Sequence, residues 1–360
     1  MRPIYLDCNA TTPIEPRVKD VVLKYMVEEF GNAGSRTHEY GLAAKKAINK
    51  AREQVARVVD CQPEEVIFTS GATESNNISI FGLREYGEKE NKKHIITSQI
   101  EHKAVLEPVK YLETKGFSVT YLPSNPSGLI SPKDLEEALQ EDTLLVSIMQ
   151  VNNETGVIQP IEEFCTILSE HDAFFHVDAA QGFGKVIKPL QNRRIDLISI
   201  SGHKIYAPKG IGALIARRRG YDKPPLKPIM YGGGQERGIR PGTQPVHLIA
   251  GLGEASEIAL NENKERKEEC LRFREKLLEE LSKYTLHYNG DQDKVVPHVL
   301  NVSIEGIDGE SAVVLFKNKY AISNGSACTS QSYKKSHVLE AMRLPQEQIA
   351  GALRFSWCHL

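Results

Sequence analysis

The chain has 360 residues, 40% of them apolar, and a formal net charge of −2. One core rarely holds more than ~200 residues, so two unequal domains are expected. The charge balance excludes a globally basic nucleic-acid binder, and no apolar stretch is long enough to span a membrane. In chain order, residues 1–5 lead straight into an extended segment without a basic-then-apolar signal region, which points to a cytoplasmic protein. Apolar runs at 66–69, 94–98, 118–122, 144–149, 174–177, 197–200 and 212–216 read as strands. Amphipathic stretches at 48–59, 103–115, 132–139 and 160–170 read as helices between them. This alternation predicts an α/β fold: three αβα layers around a mostly parallel sheet, with ligands at the carboxyl ends of the strands.

A long charged helix over 252–284 would lead out of that layer structure. Strands at 298–303 and 321–323, with helices at 309–319 and 346–353, then suit a smaller α+β domain. The expected division is a large domain over 15–254 and a small one built from 1–14 and 255–360. Arg217, Arg218 and Arg219 read as a solvated loop beside a strand. The six cysteines, Cys8, Cys61, Cys165, Cys270, Cys328 and Cys358, have no CxxC spacing. Free thiols in a reducing compartment are expected, and no metal site.

Three strand ends carry chemistry. Phe68-Thr69-Ser70-Gly71-Ala72-Thr73-Glu74-Ser75 joins a strand to a helix through small residues. Free N–H groups at such a helix start suit a phosphate, and an ordinary capped helix fits equally well. Asp178 ends one buried run and Lys204 follows another. A carboxylate is costly to bury unless it is paired. Pyridoxal phosphate needs a lysine amine, an acid for its ring nitrogen and a phosphate cup, and all three occur here in order.

Together with Val151-Asn152-Asn153-Glu154-Thr155-Gly156 and Gly232-Gly233-Gly234-Gln235-Glu236-Arg237-Gly238, these motifs resemble the class V aminotransferases of fold type I. Within that group they are similar to the cysteine desulfurases of the housekeeping and nitrogenase-associated type. Gly325-Ser326-Ala327-Cys328-Thr329-Ser330 resembles that family's sulfur-accepting loop, and its small polar residues are unlike the setting of a structural cysteine. The likeness runs from Tyr5-Leu6-Asp7-Cys8-Asn9-Ala10-Thr11-Thr12 to Arg354-Phe355-Ser356.

The resemblance implies pyridoxal 5'-phosphate on Lys204, with Asp178 at the ring nitrogen, Gln181 at the ring hydroxyl and Asn153 beside it. His102 would stack on the ring and move protons; as an imidazole it titrates in the right range, though a helix cap is its plainer role. Ala72, Thr73, Ser201 and His203 would hold the phosphate. Thr243 would reach the phosphate of a neighbouring subunit, which implies a homodimer. Arg354, with Asn153 and Asn32, would hold the carboxylate of L-cysteine; a guanidinium fits a carboxylate through two parallel bonds. Cys328 would take the sulfur as a persulfide, leaving L-alanine, and pass it to an acceptor protein.

Gly31-Asn32-Ala33-Gly34-Ser35-Arg36-Thr37-His38 departs from the family's usual Asn-Pro-Ser-Ser segment, and Pro241 replaces a usual serine. The sequence stops at Leu360, shortly after Arg354, where housekeeping relatives carry a tail that docks an iron–sulfur scaffold. Sulfur donors for tRNA thiolation or DNA phosphorothioate modification therefore stand beside iron–sulfur cluster assembly as destinations. Two rivals differ in class. A selenocysteine lyase or aminotransferase would share the cofactor, and the Cys328 segment argues against a plain aminotransferase. A non-catalytic scaffold or nucleotide-binding protein would lack the cofactor, and no GxGxxG follows the first strand.

Overall fold

A computed structural model describes residues 2–324 and 335–360. Its strands are β1 (Ile4–Tyr5), β2 (Val66–Thr69), β3 (His94–Ser98), β4 (Ser118–Leu122), β5 (Thr143–Met149), β6 (Phe174–Asp178), β7 (Leu197–Ser201), β8 (Gly212–Ala216), β9 (Leu286–Tyr288), β10 (Val299–Ile304), β11 (Tyr320–Ala321) and β12 (Ala352–Ser356). β2 to β8 form one sheet in the order β2-β8-β7-β6-β5-β3-β4. The pairs from β7 to β4 are parallel, while β8 runs antiparallel to both β7 and β2. The short link from β7 to β8 explains the reversal, because a parallel return needs a crossover of a dozen or more residues.

β2, β3, β5 and β7 are buried along their whole length, so their sequences are near-continuous apolar runs. One apolar cluster joins the sheet to helices Glu39–Val58 and Val246–Asn261, and a second joins it to Ala72–Gly82 and Lys103–Glu113. The expected αβα layering and mostly parallel sheet are therefore present.

Gly212 fixes how closely three strand ends approach. A Cβ there would lie 2.4 Å from the Ile200 carbonyl oxygen and 2.6 Å from Gly71 Cα. Only glycine allows β8 to thread between the Ser201 end of β7 and the turn after β2.

Beside this sheet lies a smaller antiparallel one, β12-β10-β9, and β1 pairs with β11 in parallel. Leu6, Cys270, Leu300, Val302 and Trp357 form its apolar core. The helix expected over 346–353 ends at Ala350, and Leu353 belongs to β12, because 352–356 pairs residue by residue with 299–303. The long helix expected over 252–284 is two helices, Val246–Asn261 and Asn263–Leu281. Glu262 breaks it, with φ −109° and ψ 17°. Its carboxylate binds Arg17, and Asn263 Nδ2 donates to the Gly184 carbonyl at 2.9 Å, so tertiary partners hold the break.

The Arg217–Arg219 run is solvated only in part: Arg218 and Arg219 are exposed, and Arg217 is not. Arg217 is buried and donates to the carbonyls of Leu190, Asn192 and Val59. Arg219 pairs with buried Asp196 at 2.7 Å. A guanidinium has five N–H donors, and Arg217 uses those of Nη1 and Nη2 to close off carbonyl groups of separate loops. Among the described residues, no helix is long and apolar enough to cross a membrane.

Candidate active site

The carboxyl ends of β6 and β7, the start of the Ala72–Gly82 helix and β12 converge on a cavity of about 540 Å³. That volume suits a cofactor-sized ligand. Lys204, Asp178, Gln181, His102, Asn153, Ala72, Thr73, Ser201, His203 and Arg354 all line it. Residues far apart in sequence thus meet as expected. Thr243 and Asn32 are exposed and do not line the cavity of the single chain. Asn32 Oδ1 accepts from Gly34 N at 2.8 Å and shapes its own turn. Cys328 lies outside the described residues.

Asp178 ends β6 and is held in place. Its carboxylate accepts from Asn76 Nδ2 at 2.7 Å and from Ala180 N at 2.9 Å. Lys204 closes the short 3₁₀ turn Gly202–Lys204 after β7, and its Nζ donates to the carbonyls of Asn9 and Ala10. Gln181 Nε2 donates to the same Asn9 carbonyl at 3.0 Å. The segment after β1 therefore meets the ends of β6 and β7.

His102 caps the Lys103–Glu113 helix, and its Nδ1 accepts from Ala104 N at 3.1 Å. That bond places any ring proton of the neutral form on Nε2. Burial lowers its pKa, with Asp178 acting against the shift and Lys204 adding to it. The helix-cap role and the cavity position thus coexist in one residue. His203 is pushed down to about 4 by burial and by Lys204, and its Nδ1 meets Thr11 Oγ1 at 3.1 Å. At the helix start, Ser70 N is already bound to Glu74 Oε2 at 2.6 Å. The N–H groups that follow, at Ala72 and Thr73, belong to a first turn that has no intrahelical partner to offer them.

Arg354 sits on β12 with its side chain 4% exposed. Nη2 pairs with Asp7 Oδ1 at 2.6 Å, and Nη1 donates to the Asn153 carbonyl at 3.0 Å. Three contributors were not legible as site residues in the sequence: Asp7, Asn9 and Asn76. Asn76 had a signal, since it lies one helical turn beyond Ala72 and Thr73 on the same face. Asp7 and Asn9 act on residues more than a hundred positions away, which no local pattern encodes.

Several buried polar atoms of this cavity have no hydrogen-bond partner among the described residues: Gln181 Oε1, Asn76 Oδ1 and Arg354 Nε. Buried polar groups are normally satisfied, so these mark where a polar ligand fits. A lysine, a carboxylate, an aromatic ring and a helix N-terminus arranged around that space match pyridoxal phosphate.

The class-V aminotransferase family matches residues 4–359. The chain is 47% identical over 358 residues to cysteine desulfurase IscS of Vibrio cholerae serotype O1 (strain M66-2), covering 99% of this chain and 88% of that one. The chain belongs to the cysteine desulfurases of the class-V aminotransferase family. Among solved structures, DndA from Streptomyces lividans is similar at 52% identity and a TM-score of 0.86, covering 97% of this chain and 98% of that one. SspA in complex with cysteine is similar at 39% identity and 0.86, covering 98% of each chain. These structures share the α/β fold described above, and the cysteine desulfurase family depends on pyridoxal phosphate.

Proposed function

We propose that the protein is a pyridoxal-phosphate-dependent cysteine desulfurase whose cofactor is carried by Lys204 and whose sulfur acceptor is Cys328. The convergence of Lys204, Asp178, Gln181, His102 and Arg354 on one cavity carries this reading. Bound there, pyridoxal phosphate supplies an electron sink for the charge left when the substrate loses its α-proton. Asp178, fixed by Asn76 and Ala180, keeps the ring nitrogen protonated. Gln181 Oε1 is free to accept from the ring hydroxyl, and Asn153 stands beside it. Ala72, Thr73, Ser201 and His203 hold the phosphate. Arg354 receives the carboxylate of L-cysteine, with Asn153 and Asn32 near it. Lys204 Nζ and His102 Nε2 exchange protons with the substrate. The Cys328 thiolate takes the substrate sulfur, and L-alanine leaves.

The remaining parts of this reading concern partners. Leu23, Met26, Val27, Phe30, Tyr40 and Leu42 are exposed along residues 23–42, and the Phe30 and Tyr40 rings lie 5.4 Å apart. An apolar group of this kind marks an association surface, and a second copy of the chain fits it. In that homodimer Thr243 completes the partner's phosphate site. The sulfur then passes to an acceptor protein in the cytoplasm, for cluster assembly, tRNA thiolation or phosphorothioate modification. The domain division at 15–254 belongs to the same reading. Purified protein given L-cysteine tests it by release of L-alanine in step with sulfide; release in a Cys328→Ala variant at the parental rate would overturn the acceptor.

A further inference from the structure

A second cavity, of about 400 Å³, shares no lining residue with the one around Lys204. Its walls come from residues 184–191 after β6, from Ile205 and Tyr206 after β7, from the helices Val246–Asn261 and Asn263–Leu281, and from residues 295–298 that lead into β10. Gly184 lets the first of these walls approach the third. Its φ is 72°, and a Cβ there would lie 2.9 Å from Ala259 Cβ, so only glycine fits. Asn263 Nδ2 then holds the turn through the Gly184 carbonyl at 2.9 Å.

The next residue, Lys185, lines the cavity, and its Nζ meets Nε2 of buried His298 at 3.1 Å. An ammonium carries three donors and no acceptor, so it donates this bond and His298 stays neutral. Burial and the Lys185 charge hold His298 well below its ordinary range, in agreement. Among the described residues no carboxylate pairs with Lys185, and no Asp or Glu lines the cavity. Arg266 lines it too, but its charge is met by Glu15 at 2.9 Å and Glu262 at 3.2 Å. Lys188 and Lys267 line it from exposed positions. Burial pushes the Lys185 amine down to about 8, as expected of an ammonium without a carboxylate beside it.

Much of the remaining wall is apolar and includes Ile158, Val186, Ile187, Ile205, Val295 and Val296. A charge set into such a wall is costly unless it is paired. The missing partner is an anion, and the wall calls for an apolar body behind it. One unmatched ammonium at that wall calls for one negative charge, which a carboxylate carries and a phosphate monoester exceeds.

We propose that this cavity is a second ligand site of the protein, which binds a small apolar monocarboxylate with its charged end on Lys185 and its body among the aliphatic side chains. Lys185 Nζ keeps its bond to His298 and gives its remaining donors to the ligand. The volume suits a small molecule, and the recognition follows the usual pattern of an apolar pocket with a few fixed polar groups. The site does not depend on the roles proposed for Lys204 or Arg354.

The test uses holoprotein with 4-bromobenzoate as probe and 4-bromobenzamide as its uncharged counterpart. Calorimetry should show the carboxylate binding at least about tenfold more tightly than the amide, the low end for hydrogen bonds to a charged group. Lys185→Met should lose the same factor for the carboxylate while keeping the cofactor absorbance of the parent. If that variant fails to fold, the parent still decides through crystals soaked in the probe, where anomalous scattering locates the bromine. A bromine within the cavity beside Lys185, whether or not another lies beside Arg354, supports the site. A bromine beside Arg354 alone, equal affinity for acid and amide, unchanged affinity in Lys185→Met, or no binding to the parent would overturn it.

Discussion

Arg354 and Ser323 exchange both main-chain hydrogen bonds: Arg354 N donates to Ser323 O at 2.6 Å, and Ser323 N donates to Arg354 O at 3.2 Å. The residue that carries the cavity's guanidinium is therefore paired with the segment leading into Cys328. On the far side of that segment, Ser336 Oγ donates to Glu154 and His337 Nε2 meets the Glu101 carbonyl at 2.9 Å. Glu154 follows Asn153 and Glu101 precedes His102. The described residues on either side of the stretch containing Cys328 are thus tied to neighbours of the proposed site residues.

Replacing Arg354 with alanine should raise KM for L-cysteine far more than it lowers cofactor content. Hydrogen bonds to a charged group contribute about 1.5–3 kcal/mol, which corresponds to roughly 10–150-fold in kcat/KM. Arg354→Lys should recover only part, because an ammonium lacks the planar fork. Steady-state kinetics beside the cofactor absorbance checks this, and equal loss of cofactor would point to a structural role through Asp7.

Lys204→Ala should abolish the absorbance of covalently held cofactor, and borohydride should no longer fix a chromophore to the chain. Electronic spectra before and after denaturation measure this. A chromophore still fixed in the variant would move the attachment to another lysine.

How much of this could be read in advance differs by element. β2, β3 and β8 match the apolar runs end to end, because buried strands advertise themselves as continuous hydrophobic stretches; β4 matches as well, although as an edge strand it is only partly buried. β12 escaped notice because 352–356 is short and follows directly on a helix, and only pairing with β10 defines it. Lys204 and Asp178 were legible since a charged group at the end of an apolar run is conspicuous. Asp7 and Asn9 were not, because their roles exist only once β1 and β12 are brought side by side. Arg217 was misread for the same reason, since the carbonyls it binds come from separate loops.

The pH dependence of catalysis should follow His102. Burial moves its pKa below the ordinary 6.5, so the neutral, proton-accepting imidazole persists into mildly acidic solution. The acid limb of kcat/KM should therefore fall below about pH 6.5, and His102→Gln should remove that limb along with roughly 10²–10⁴ of the rate. A pH profile of both proteins checks the assignment; an unchanged limb in the variant would give it to another group.

Glu101 makes an opposite, structural prediction. Burial pushes its carboxyl up from 4.5 to about 8, against the hydrogen bonds from Ser98 and Met149 N. Between those values the folded chain keeps a proton that the unfolded chain has released. Folding stability must then fall as pH rises from about 4.5 to about 8. Glu101→Gln, which cannot ionise, should gain Tm over the parent progressively across that window and little below it. Thermal melts at pH 5 and pH 8 measure the difference, and an equal gain at both would rule out ionisation as the cause.

The central claim is that a sulfur leaves L-cysteine for Cys328 in a cavity built around Lys204. Mass spectrometry of the protein after a brief exposure to L-cysteine, with persulfides trapped by alkylation, tests it most directly. The account predicts one added sulfur on the peptide containing Cys328, and none on that peptide in Lys204→Ala. Added sulfur on a different cysteine, or on Cys328 without Lys204, would contradict it.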